Sequence, residues 1–192
     1  MTDKDPAAQF WDQGYRLAEG LVSAQQCAFL RQCMDAAQRS GRMRLADNSA
    51  YRGPNNEYAP APAELVLRAL APAVSQMVGC EVLPSYSFWR IYEQGAELRP
   101  HKDRPACEVS LTVAIAAEPE GMEWPICLTD LGGQDHRIAL RPGAALLYRG
   151  PEVRHWREVL DGARHYQMFL HYVVAGGPFA ALADEGSRAA GG

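Results

Sequence analysis

The texture of the chain changes once, near residue 80, and that change decides what it can fold into. Before it, apolar residues recur at helical spacing. After it, from 81 to 174, they come in short runs rich in aromatic and β-branched residues. Turn signals at Gly95, 119–121, 132–133, 142–143 and 150–151 separate the runs, and no helical stretch lies between them. The expected strands are 82–93, 97–103, 108–116, 124–129, 136–140, 144–149, 153–157 and 163–174. Their number and spacing are those of a sandwich or jelly roll.

Two helices are expected ahead of them. Ser23 and Gln26 form a capping box for a helix over 24–40, with Cys27, Leu30, Met34 and Ala37 as its buried stripe and Gly41 as its stop. A second pattern, 63–78, places Val66, Leu70, Ala73 and Met77 on one face, with Pro72 expected to kink or split it. Between them, 46–62 is so rich in Asn, Gly and Pro that it is expected to be a long loop. The chain of 192 residues is thus expected to be a single domain over 1–183, with helical support at 21–78, a barrel at 81–174 and a disordered tail at 184–192.

A net charge of −4, with no dense cluster of Lys and Arg, argues against nucleic acid as a partner. No apolar run is long enough for a membrane span, and the start lacks the texture of a signal peptide, so a cytoplasmic location is expected. The five cysteines contain no C-x-x-C pair, which fits reduced thiols better than disulfides or a zinc ribbon.

The chemistry concentrates in two places. His101 and Asp103 sit two apart at the end of an expected strand, which sends both side chains to one face. His155 lies in a later strand, and Arg164 follows nine residues on. Two His and one carboxylate on one side of a metal leave three positions open, as ferrous enzymes need when they bind a cosubstrate and O₂ together. Arg164 offers a planar fork for a carboxylate.

These residues resemble the Fe(II)/2-oxoglutarate-dependent dioxygenase superfamily, in its prolyl-hydroxylase-like and phytanoyl-hydroxylase-like branches. The resemblance rests on H-x-D at His101 and Asp103, on His155 and Arg164, on the R-P-G turn at 141–143 and on F-x-x-x-G-Y at Phe10, Gly14 and Tyr15. It implies a mainly β chain with N-terminal helices packed on one side of a double-stranded β-helix. It further implies that His101, Asp103 and His155 hold Fe(II), and that 2-oxoglutarate chelates the iron and pairs its far carboxylate with Arg164. The activity implied is hydroxylation of a small molecule or peptide side chain with O₂, releasing succinate and CO₂.

One departure matters. The strand EVSLTVAI lacks the Tyr that often helps hold 2-oxoglutarate in such proteins, and Tyr92, one strand earlier, is the expected substitute. Arg90 shares the face of Tyr92, either as an anchor for a substrate carboxylate or as half of an internal ion pair. Trp156 is a candidate substrate contact beside His155, with rim packing as the plain alternative. His165 and His171, opposite in phase to Arg164, are expected to face outward, and His136 to be exposed. The rival from another class is a non-catalytic, cupin-like metal-binding barrel that senses a small acid.

Overall fold

The computed structural model describes residues 6–186. In chain order the elements are α1 (Pro6–Gln13), β1 (Tyr15–Ala18), α2 (Ala24–Arg39), β2 (Arg44–Asp47), β3 (Arg52–Tyr58) and α3 (Ala61–Val78). The barrel follows as β4 (Val82–Glu93), β5 (Leu98–His101), β6 (Val109–Glu118), β7 (Ile126–Thr129), β8 (Asp135–Ile138), β9 (Ala145–Tyr148), β10 (Arg154–Arg157) and β11 (Arg164–Val174). No helix among the described residues is long and apolar enough to cross a membrane.

The strands form two antiparallel sheets, a large one in the order β1-β9-β6-β11-β4-β3-β2 and a small one in the order β5-β10-β7-β8. This is the jelly roll expected from the strand spacing. All three helices lie against the outer face of the large sheet, where Phe10, Leu30, Met34, Leu67 and Val74 meet Trp89, Ile91, Leu111, Met168 and Leu170 in the main apolar core. The inner face closes against the small sheet around Tyr51, Tyr92, Leu98, Trp124, Leu160 and Phe169. The large sheet is therefore covered on both sides, and its central strands are buried almost end to end.

The capping box at Ser23 and Gln26 is present, and α2 buries Cys27, Leu30, Met34 and Ala37 as expected. Helix α3 differs in two ways. It runs unbroken through Pro72, and it buries Ala63, Leu67, Val74 and Val78, a stripe one residue off the expected face. A proline inside a helix costs about 3 kcal/mol, and packing of this apolar face on β4 offsets that cost.

The segment 46–62 is largely not a loop. Most of it is the hairpin β2–β3, and β3 pairs with β4 through Asn56–Arg90, Glu57–Trp89 and Tyr58–Phe88. Pro and Gly are tolerated on strands near a sheet edge, and the partner that makes β3 a strand lies more than thirty residues away in sequence. The tail expected to be disordered is docked at its start: the Asp184 N–H donates to Pro84 O at 2.8 Å and Glu185 pairs with Arg104. Residues 187–192 of that tail lie outside the described residues.

Candidate metal centre and cosubstrate pocket

Two short strands of the small sheet set the geometry. His101 ends β5 and stands directly opposite His155 on β10, with ring centroids 4.2 Å apart. Asp103, two residues past His101, is fixed by a hydrogen bond from its own N–H to Gly150 O at 2.9 Å. Its Oδ1 lies 3.5 Å from His101 Nε2 and 3.7 Å from His155 Nε2. Ligands bound about 2.1 Å from a metal at right angles are about 3 Å apart, so these three atoms can close on one ion with a small adjustment.

Backbone carbonyls behind the two rings prepare them for it. His101 Nδ1 donates to Arg99 O at 2.8 Å, and His155 Nδ1 donates to Val153 O at 3.0 Å. A carbonyl only accepts, so the proton of each neutral ring sits on Nδ1 and the Nε2 lone pair is free for a metal. Burial keeps His155 below its usual pKa and therefore neutral, against the pull of Asp103. Burial opposes ionisation of Asp103, but the facing His155 and His101 rings outweigh it and hold the carboxyl well below the usual range. The donor set is thus two imidazoles and one carboxylate, facing a cavity of about 320 Å³.

Gly150 is part of this cradle. A Cβ there would collide with Cys107 O and would reach Asp103 Oδ2 and Cβ at 2.8 and 2.9 Å. Gly150→Ala is expected to displace Asp103 and weaken metal affinity about tenfold or more, the scale of outer-shell changes at metal sites. Competition of the variant against a chelator for Mn(II) measures it.

A second group, Asp103, Cys107 and His171, also lies within ligand distance. It shares Asp103 with the first, and burial pushes the Cys107 thiol well above its ordinary pKa, so it stays protonated and is a poor ligand. His171 faces the cavity with Nδ1 at 3.0 Å from Ser110 Oγ and Nε2 unpartnered. Burial pushes its pKa down to about 4.

No family model matches this sequence, and no curated protein does. Solved structures do. A Pseudomonas putida prolyl-4-hydroxylase superposes with a TM-score of 0.71 at 14% identity, covering 88% of this chain and 97% of that one. A 2OG-Fe(II) oxygenase family oxidoreductase from Burkholderia pseudomallei gives 0.71 at 14%, covering 90% and 91%. EctD from S. alaskensis, solved with 2-oxoglutarate and 5-hydroxyectoine, gives 0.69 at 16%, covering 92% and 79%. The chain has the fold of the 2OG-Fe(II) oxygenases.

Within that oxygenase fold, the last strand departs from the sequence expectation. Arg164 opens β11 on the helix side, hydrogen-bonded to Tyr166, whose hydroxyl donates to Asp35 of α2 at 3.0 Å. Arg164 does not line the cavity. His165 and His171 are the inward residues and are 3% and 2% exposed, so their expected outward placement is reversed. Strand β11 is covered on both faces, and its pattern carries no polar side that would reveal its phase. His136 is half-buried against Asp130 at 2.8 Å, away from the metal ligands.

Sequence reading set Arg157 beside Trp156 at the mouth of the barrel and gave it no part in holding the cosubstrate. It lies two residues after His155 on β10, is 2% exposed and points into the barrel, whereas Trp156 between them turns away, beside Arg154. Trp156 therefore does not contact the cavity. Arg157 donates from Nη1 to Trp124 O, its Nη2 has no partner, and it pairs with no carboxylate among the described residues. Burial lowers its pKa to about 10, so it remains a cation. Arg157 itself stands behind the cavity wall, next to Tyr92 and Tyr148, which line it. His165 beside it is held to a pKa of about 3, first by burial and then by Arg157, and adds no charge. The missed signal was period-2 alternation from His155, which puts residue 157 on the ligand face.

Proposed function

We propose that this protein is an Fe(II)- and 2-oxoglutarate-dependent oxygenase that hydroxylates a C–H bond of a small molecule or peptide side chain, releasing succinate and CO₂. The observation that carries this reading is the donor set: two His rings with Nδ1–H tied to backbone carbonyls and an ionised Asp, all facing one cavity. The fold shared with the 2OG-Fe(II) oxygenases supports it.

His101, Asp103 and His155 would hold the iron, leaving three positions open toward the cavity. Bound iron with 2-oxoglutarate supplies the oxidising power, drawn from O₂, for attack on an unactivated C–H bond. What the chain's own residues contribute is orientation and dryness. Arg157 would take the far carboxylate of 2-oxoglutarate in place of Arg164. Two residues along a strand span about 6.6 Å, the reach of a five-carbon diacid held at its other end beside His155. Tyr92, which lines the cavity next to Arg157, would offer its hydroxyl to the same carboxylate. Phe88, Phe169 and Tyr148 make the walls apolar, which keeps water from the reacting atoms.

The test is formation of succinate from 2-oxoglutarate by purified protein. It is expected to require added Fe(II), to stop when a chelator removes the metal and to return on adding Fe(II) back. Tight metal binding with no succinate formed across a broad substrate screen would instead favour the cupin-like sensor.

A further inference from the structure

We propose that Arg90 anchors a carboxylate on the prime substrate, and that this substrate is a small acid with an apolar body of about the size of an aromatic ring. The inference rests on the oxygenase reading above and extends it to the substrate class.

Arg90 is 5% exposed and lines the cavity from β4. Its partners are neutral: Nε donates to Asn56 Oδ1 at 3.2 Å and Nη1 donates to Tyr92 OH at 2.9 Å. Its guanidinium lies 3.9 Å from the Tyr51 ring centroid, with Tyr92, Phe88 and Phe169 at 5.2, 5.4 and 5.8 Å. Aromatic faces make a buried cation tolerable without neutralising it. Among the described residues no carboxylate comes within ion-pair distance of Arg90, so the internal ion pair is not what keeps it there.

The cavity's charges point the same way. Among its lining residues the one acid is Asp103, which belongs to the metal ligands, against the cations Arg90, Lys102 and Arg104. Arg104 is answered by Glu185. Nor would the cosubstrate answer Arg90, because on the reading above its two carboxylates would go to the metal and to Arg157. Arg90 stands on the opposite sheet, paired across to Asn56 and stacked on Tyr51 at the end of the 48–51 turn. An incoming acid would find its counter-charge there, and Tyr51, Tyr86, Phe88 and Phe169 would enclose its apolar part.

The experiment uses full-length protein loaded with Mn(II), a redox-inert stand-in for iron, and titrated calorimetrically with and without 2-oxoglutarate. The probes are matched pairs of equal shape: phenylacetate, phenylpropionate and phenylbutyrate, each against its amide. At least one acid is expected to bind tenfold or more tighter than its amide. Arg90→Gln is expected to abolish that difference, and Arg90→Lys to keep part of it. The affinity of Arg90→Gln for 2-oxoglutarate is expected to stay within about threefold of wild type, which also shows that the variant is folded. Equal binding of every acid and amide by the wild type would overturn the proposal. So would an acid preference that survives Arg90→Gln, or a loss of 2-oxoglutarate affinity in Arg90→Gln as large as in Arg157→Gln. If the wild type takes up no 2-oxoglutarate, the oxygenase reading fails, while the acid–amide difference in the metal-loaded protein still judges Arg90.

Discussion

Replacing His155 by alanine is expected to abolish turnover and to lower metal affinity at least about 100-fold. Even outer-shell partners of metal ligands are worth 10- to 100-fold, and His155 would be one of three direct donors. Its ring is 2% exposed, with Nε2 3.7 Å from Asp103 Oδ1 and Nδ1 tied to Val153 O. Of the nearby side chains, His171 groups with Asp103 and Cys107 rather than with His101, and Cys107 is kept protonated by burial. Metal content per chain after dialysis, together with succinate formation, measures the loss. A thermal melt separates it from unfolding, since removal of a buried ring also leaves a void. Wild-type activity in this variant would end the oxygenase reading.

The second large effect is expected at Arg157. Arg157→Gln should weaken 2-oxoglutarate binding by ~30-fold, since hydrogen bonds to a charged group are worth about 2 kcal/mol. Arg164→Ala, by contrast, should leave that affinity within about twofold. The resemblance alone implies the opposite order, with Arg164 as the anchor. The two variants therefore decide between them in one anaerobic titration of the Fe(II)-loaded protein with 2-oxoglutarate, followed by charge-transfer absorbance. A large shift in the Arg164 variant and none in the Arg157 variant would restore Arg164 as the anchor and would mean that β11 turns its other face to the cavity. The structural argument for Arg157 is the unpartnered Nη2 on a buried cation that has no acid beside it. An incomplete ion pair of this kind is costly inside a protein unless something of opposite charge arrives.

Much of the candidate metal site was legible in sequence because its rule is local. H-x-D at a strand end fixes its own geometry through the two-residue alternation of a strand, and the structure places His101 and Asp103 together with His155 on that basis. The helix at Ala24–Arg39 was legible for the same reason, its cap and its apolar stripe being written within sixteen residues. Most barrel strands fell near their expected positions because Gly and Pro turns punctuate them.

What sequence did not determine depends on partners distant along the chain. Segment 46–62 has the composition of a loop and is mostly a hairpin because β4 offers it an edge. Strand β11 lies between β4 and β6 and is covered by helices on one face and by the barrel interior on the other. Both of its faces are buried, so no hydrophobic alternation records which one looks inward, and a one-residue change of phase exchanges Arg164 for His165. The sequence by itself thus determined the succession of strands along the chain and the grouping of His101, Asp103 and His155. Only the tertiary structure decided which arginines, Arg157 and Arg90 rather than Arg164, are left inside as unanswered charges, because burial and the absence of an acid partner are properties of the packed barrel.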